Sequence, residues 1–194
     1  MAVNKRGIFF TFAAIALALI IIFSFKVYTD YGLKDEAEVI ETRVITMNDF
    51  IKDLEKNIGN AIFISGFRSL LSLEDYMMKY DDFMDNLGTT RDGAFDEVFR
   101  LGTITGTAGT EKMDIIEDNT FNNWTTNMKV EANKTGIELE LTVNSVTITH
   151  TEPWMVDVTV RLDIDAQDEK NTASWTITNK AYTGKINITG LVDP

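Results

Sequence analysis

From Ile8 to Phe25 the chain is apolar over eighteen residues, interrupted only by Thr11 and Ser24. A helix over that stretch would be about 27 Å long, close to the hydrocarbon thickness of a bilayer, and Val27 and Tyr28 can lengthen it. Because the run is apolar on every side, it reads as a membrane span rather than as a helix with one face to bury. The flanks agree. Lys5 and Arg6 precede it with no acidic residue nearby, whereas the chain after Lys26 carries fifteen basic and thirty acidic side chains. With Lys5, Arg6 and Lys26 as membrane flanks, charge asymmetry predicts a single-pass protein of the cell membrane, its N-terminus cytoplasmic and its C-terminal head extracellular. A cleaved secretory signal is the competing reading, but Phe23-Ser24-Phe25-Lys26 lacks the small-x-small site that cleavage requires.

Composition closes off several kinds of chemistry. The chain of 194 residues has no cysteine and one histidine, His150. That excludes disulfides, zinc–thiolate and iron–sulfur sites, thiol catalysis and any multi-histidine metal centre. A net charge of −12 repels nucleic-acid phosphates, so no nucleic-acid partner is expected.

Lys5-Arg6-Gly7 directly followed by Ile8-Phe9-Phe10 resembles the N-terminus of type IV pilin-like proteins, particularly archaeal ones with a class III signal peptide. The resemblance covers these residues and the helix behind them. It implies processing between Gly7 and Ile8 and retention of the apolar helix on the mature protein. It also implies a long helix running into an antiparallel-sheet head. The implied partners are the lipid bilayer and other pilin-like or surface subunits, held through the N-terminal helix. One position departs: the fifth residue after the cut is Phe12, where many pilins carry a glutamate that neutralises a neighbour's new N-terminal amine. The resemblance therefore implies a minor or accessory subunit rather than the repeating one.

Beyond the apolar run, Leu33, Ala37, Ile40, Val44, Met47, Ile51, Leu54, Ile58, Ala61 and Ser65 follow one another in alternating steps of four and three. Charged Asp35, Glu36, Glu41, Lys52, Asp53 and Glu55 occupy the other faces. This is a helix that buries one narrow seam. The seam admits two partners, a second copy in a coiled-coil homo-oligomer or the chain's own head. Phe50, Phe63 and Phe67 widen it, which favours the head. Gly32 permits a bend without requiring one.

The long helix is expected to end near Leu71. Ser72 then reads as the N-cap of a second helix closed by Gly88-Thr89-Thr90, and Asp92 as the cap of a short helix through Phe95, Val98 and Phe99, stopped at Gly102. The glycine- and threonine-rich Leu101–Thr110 reads as a loop in which Ile104 hints at one short extended pairing. Asn119 or Thr120 caps a further helix with Phe121, Trp124, Met128 and Ala132 on one side, and Gly136 follows it.

The apolar period then becomes two. Ile137, Leu139, Leu141 and Val143 alternate with polar residues, and alternation resumes in opposite phase at Val146 and Ile148, so Asn144-Ser145 marks a bulge or a tight turn. Val156 to Ile164 alternates cleanly, with Ala166 to Thr172 as the following hairpin loop. Trp175 and Ile177 begin a further strand, and Ile186 and Ile188 belong to the last. One-sided alternation of this kind means antiparallel strands with one wet face.

The fold class is therefore α+β: a transmembrane helix continuing into a long amphipathic helix, then short helices packed on a three- or four-stranded antiparallel sheet, as in pilins. In chain order these are a cytoplasmic basic leader (1–7), the transmembrane helix (8–28), the stalk helix (29–71), a helical and loop region (72–117) and the helix-plus-sheet head (118–194). The closing Asp193-Pro194 step opens a turn, so the natural chain is expected to continue.

No motif points to an enzyme or a cofactor. Asp163, Asp165, Asp168 and Glu169 are close in sequence but lack the spacing and glycine of a calcium loop. His150 has neither a nucleophile nor a metal partner near it in sequence. Asn123-Trp124-Thr125, Asn133-Lys134-Thr135 and Asn187-Ile188-Thr189 match the glycosylation acceptor pattern. Asn123 and Asn133 are the candidates, because Asn187 falls in a predicted strand. The expected function is a membrane-anchored, extracellular structural subunit. The alternative is a single-pass receptor or binding module with an acidic head.

Overall fold

The computed structural model describes the backbone of residues 5–80, 90–106 and 109–189, and within the first range the side chains of 17–23 and 38–80. The chain divides into two compact units, Met1–Thr46 and Met47–Pro194. Helix α1, Lys5–Tyr80, contributes to both.

In the first unit the expectation of a transmembrane helix over 8–28 is corrected. Among the described residues no helix is long and apolar enough to cross a membrane. Of that stretch, the side chains of Leu17 to Phe23 are described. The remainder of the expected span lies outside the described side chains.

The second unit is α+β, with the long helix laid on an antiparallel sheet. From Met47 onward the apolar seam of α1 is buried: Met47, Ile51, Leu54, Ile58, Ala61 and Ile62 all join the core. This part of the seam therefore packs on the chain's own head. The helix does not end near Leu71 but continues through Ser72 to Tyr80. Ser65, Ser69 and Ser72 lie on its buried side, and Ser69 Oγ donates to the Ser65 carbonyl at 2.7 Å. That back-bond is how a serine is accommodated inside a helix instead of capping one.

Helix α2, Arg91–Leu101, is capped by Thr90 rather than Asp92: Thr90 Oγ1 accepts from the Gly93 N–H at 3.1 Å. Asp92 sits in the first turn, where the helix dipole favours it. Gly102, at φ +69°, ends the helix and donates its N–H to the Val98 carbonyl at 2.8 Å. The expected loop after it contains a short hairpin, β1 (Thr103–Gly106) with β2 (Gly109–Lys112), which buries Ile104. Helix α3, Phe121–Lys134, is capped by Thr120. The Phe99 and Phe121 rings lie 5.0 Å apart, which locks α2 to α3, and within α3 Trp124 lies 5.2 Å from Phe121.

Three strands, β3 (Ile137–Glu152), β4 (Met155–Asp168) and β5 (Ser174–Asn187), form one antiparallel sheet in the order β3-β4-β5. The two short strands expected at Trp175–Ile177 and Ile186–Ile188 are thus largely one long strand. Central β4 alternates without interruption, burying Val156, Val158, Val160, Leu162, Ile164 and Ala166. Both neighbours change phase near Leu162, and β3 shifts again between His150 and Glu152. In β3 the register shifts between Val143 and Ser145, so of the two expected alternatives it is a bulge and not a tight turn. In β5 the shift leaves Thr178 and Asn179 opposite Asp163 alone.

Two glycines bring helix and sheet together. A Cβ on Gly66 would lie 2.7 Å from Ile186 Cδ1, and one on Gly184 would lie 2.8 Å from Ile62 Cγ2 and 3.2 Å from the Phe63 nitrogen. Neither position has room for a side chain.

Candidate functional site

The most conspicuous surface belongs to α1 in the first unit. Leu17, Leu19, Ile20, Ile21, Ile22 and Phe23 are between 46% and 66% exposed. Later on the same helix, Ile40 (44%) and Val44 (37%) carry the heptad seam in exposed positions. Contiguous exposed apolar side chains mark a contact surface, because leaving them in water forfeits the burial energy of each.

Of the residues singled out by sequence, Lys5, Arg6, Gly7, Ile8 and Lys26 fall within the α1 range, with side chains outside the described residues. Asn123 and Asn133 both lie on α3 and are exposed. Their third residues differ. Thr125 is buried and donates to the Asn122 carbonyl at 2.9 Å, while Asn123 Nδ2 donates to the Glu117 carbonyl at 3.2 Å. Thr135, following Asn133, is exposed in the turn that closes α3. His150 is exposed near the end of β3 opposite Val156.

Of the acidic residues around the β4–β5 turn, Asp163 and Asp165 share the wet face of β4 and Asp168 lies on the buried one, and each of the three accepts hydrogen bonds within the protein. Asp163 Oδ1 accepts from Asn144 Nδ2 at 2.8 Å and from the Asn179 N–H at 2.6 Å. Asp165 Oδ1 accepts from Thr176 Oγ1 at 2.8 Å. Asp168, on the buried face, accepts from Thr172 Oγ1 at 2.7 Å and the Lys170 N–H at 3.2 Å. These are the contacts of a braced sheet and turn. Among the described residues no group of three or more acidic or histidine side chains could hold a metal ion.

Two Lys-Tyr-Glu groups had no signal in the sequence. Glu55 on α1 receives Lys180 Nζ at 2.5 Å and the Tyr182 hydroxyl at 2.9 Å, both from β5, with Lys180 5.3 Å from the Tyr182 ring centroid. Lys180 chiefly, with Tyr182, holds the Glu55 carboxyl below its ordinary range, against a partial desolvation. Burial first, then Glu55, pushes the Tyr182 phenol up. At the other end, Glu111 of β2 receives Lys79 Nζ at 2.5 Å and the Tyr80 hydroxyl at 2.6 Å, tying the end of α1 to the hairpin. The Lys79 amine is raised and the Glu111 carboxyl lowered, each mainly by the other. Both groups pin elements together.

On the wet face of the sheet an open cleft of about 560 Å³ is lined by Glu138, Glu140, Asp165, Gln167, Ser174 and Thr176. Lys129 of α3 reaches Glu140 at 2.5 Å. No protein-family model matches the chain, and neither a curated protein nor a solved structure matches it.

Proposed function

We propose that this chain is a structural assembly subunit of pilin-like kind, a minor or accessory component of a surface filament or of its assembly apparatus, joined to other subunits through the first part of α1. The supporting observation is the uncovered apolar surface from Leu17 to Phe23, which offers binding energy and no reactive group. Such side chains contribute about 1.5–3 kcal/mol each when fully buried. The head fits the same reading, because Glu55 with Lys180 and Glu111 with Lys79 brace one element against another. Phe12 in place of a glutamate supports the accessory role, since a subunit without that carboxylate has no partner to offer a neighbour's terminal amine.

Mass spectrometry of the mature N-terminus tests this directly. Loss of residues 1–7, abolished by Gly7→Val, is the expected result, and a mature chain beginning elsewhere would sink the processing on which the reading depends. The second reading, a binding module, draws on the acidic cleft of Glu138, Glu140 and Asp165. It predicts capture of a cationic partner that is lost in the Glu138→Gln/Glu140→Gln double variant.

A further inference from the structure

Three segments match the glycosylation acceptor pattern, and the fold treats them differently. Asn123 and Thr125 both lie within α3. Successive helical residues are turned by about 100°, so the first and third positions of the motif face nearly opposite sides. Asn123 is accordingly exposed while Thr125 is buried, its hydroxyl given to the Asn122 carbonyl. Asn123 Nδ2 is itself engaged by the Glu117 carbonyl. At Asn133 the motif straddles the end of the same helix, and the Thr135 hydroxyl turns back to the Ala132 carbonyl at 2.7 Å. Neither motif presents its amide and its hydroxyl together.

Asn187 does. It is the last residue of β5, and Ile188 and Thr189 lie beyond the strand. Along extended chain, residues two apart share a side. Here Asn187 Oδ1 accepts both the Thr189 N–H, at 2.9 Å, and the Thr189 hydroxyl. Both residues are exposed, and among the described residues Asn187 Nδ2 donates to nothing. The backbone around them is held, with Asn187 in register with Met155 and the Ile188 N–H donating to the Trp154 carbonyl at 3.0 Å. The adjoining turn is exposed from Thr149 through Trp154, so this end of the sheet has room for a bulky group.

We propose that Asn187 is an N-glycosylation acceptor, taking an oligosaccharide from a lipid-linked glycosyl phosphate. In the transfer, Nδ2 bonds to the anomeric carbon as that carbon's bond to the phosphate oxygen breaks. The lipid phosphate leaves with the bonding pair, and one amide proton passes to a base of the transferase. An amide nitrogen is a weak nucleophile because its lone pair is shared with the carbonyl. The two Thr189 donors on Oδ1 stabilise the negative charge that gathers there as the proton leaves, as donors aimed at a developing oxyanion do. The inference rests on the surface location in the proposed function, because such transfer takes place outside the cytoplasm. It does not depend on processing at Gly7.

The test is mass spectrometry of the full-length chain recovered from the cells that make it, read as intact mass and as peptides. The expected result is a glycan mapped to Asn187, lost in Asn187→Gln and in Thr189→Val. It should be kept in Thr189→Ser and in the Asn123→Gln/Asn133→Gln double variant. Both Thr189 variants alter an exposed side chain beyond the strand, and thermal melts matching the parent show that loss of the glycan is not loss of the fold. A bare Asn187, a glycan carried by Asn123 or Asn133 instead, or a glycan that persists in Thr189→Val overturns the inference. The same spectra read the mature N-terminus. Processing after Gly7 with a bare Asn187 sinks this inference alone, whereas a glycosylated Asn187 on an unprocessed chain sinks only the pilin-like reading.

Discussion

The Asp163 carboxylate accepts the Asn179 backbone N–H at 2.6 Å, at the point where β5 carries its extra residues. The same oxygen takes Asn144 Nδ2 from the bulge of β3. One side chain on the uninterrupted central strand thus holds the Asn144 bulge of β3 and the phase change of β5, and Asn179 sits at φ +51° beside it. Asp163→Ala removes two charge-assisted hydrogen bonds at a half-buried site and should cost about 1–2 kcal/mol in urea denaturation. Asn144→Ala, which removes one of them, should cost less. Equal values for the two would show that the clamp on Asn179 contributes nothing.

Two glycines on different elements should respond to alanine with opposite sign. At Gly184 the new methyl would meet Ile62 and the backbone nitrogen of Phe63, and backbone cannot swing aside, so Gly184→Ala should lower stability by about 1–3 kcal/mol. At Gly59, inside α1, nothing lies within 4 Å of the added carbon. Gly59→Ala should raise stability by about 0.5–1 kcal/mol through helix propensity alone. Thermal melts of both variants decide it.

Acid should loosen the contact of α1 with β5. Glu55 titrates below its ordinary value of 4.5, chiefly because Lys180 donates to it. A carboxyl lowered in the folded state stabilises fully above its unfolded pKa, and that contribution fades as pH falls through the lower, folded value. The Glu55–Lys180 pair is partly exposed, which limits its contribution to about 1 kcal/mol or less. Comparing urea midpoints at pH 7 and pH 3, Glu55→Gln should show a smaller acid-induced drop than the parent chain. An identical drop would assign the acid sensitivity to other carboxylates.

A chain beginning at Met47 should fold, because the second unit contains its own core. A chain beginning after Leu71 should not. It lacks Met47, Ile51, Leu54, Ile58 and Ile62, all buried, and at about 1.5–3 kcal/mol per side chain their loss matches or exceeds the stability of a typical domain. Circular dichroism with a cooperative melt for the first chain and none for the second is the expected outcome.

The parts of this fold that could be read from sequence are those in which one strand or helix keeps a single phase. Val156 to Ile164 alternates without a break, so that part of β4 was legible, while Ala166 to Asp168, expected in the hairpin loop, extends the strand. Asn144 interrupts an otherwise apolar alternation, so its bulge was legible too. The bulge in β5 was not, because Thr178 to Ala181 contains no large apolar residue to show the phase change. Ser72 and Asp92 illustrate the ambiguity of polar residues near helix ends: each fits a cap by type, and burial in one case and a better-placed Thr90 in the other decided otherwise. The exposed seam was legible as a pattern, while the point at which the head begins to cover it depends on long-range packing. Glu55, Lys180 and Tyr182 converge across 125 residues or more of chain, a spacing that carries no local signal.

That same separation orders events in time as the chain is made. The face of α1 that closes over Gly184 and Ile186 is synthesised first, and its cover arrives with the last strand. At about 5–20 residues per second, the 125 residues between Glu55 and Lys180 take roughly 6–25 s to emerge. A helix relaxes in about a microsecond, so the seam from Met47 to Ile62 can be formed and bare throughout that interval. During each round of translation the nascent chain thus carries part of its hydrophobic strip before the strand that closes over it has been made.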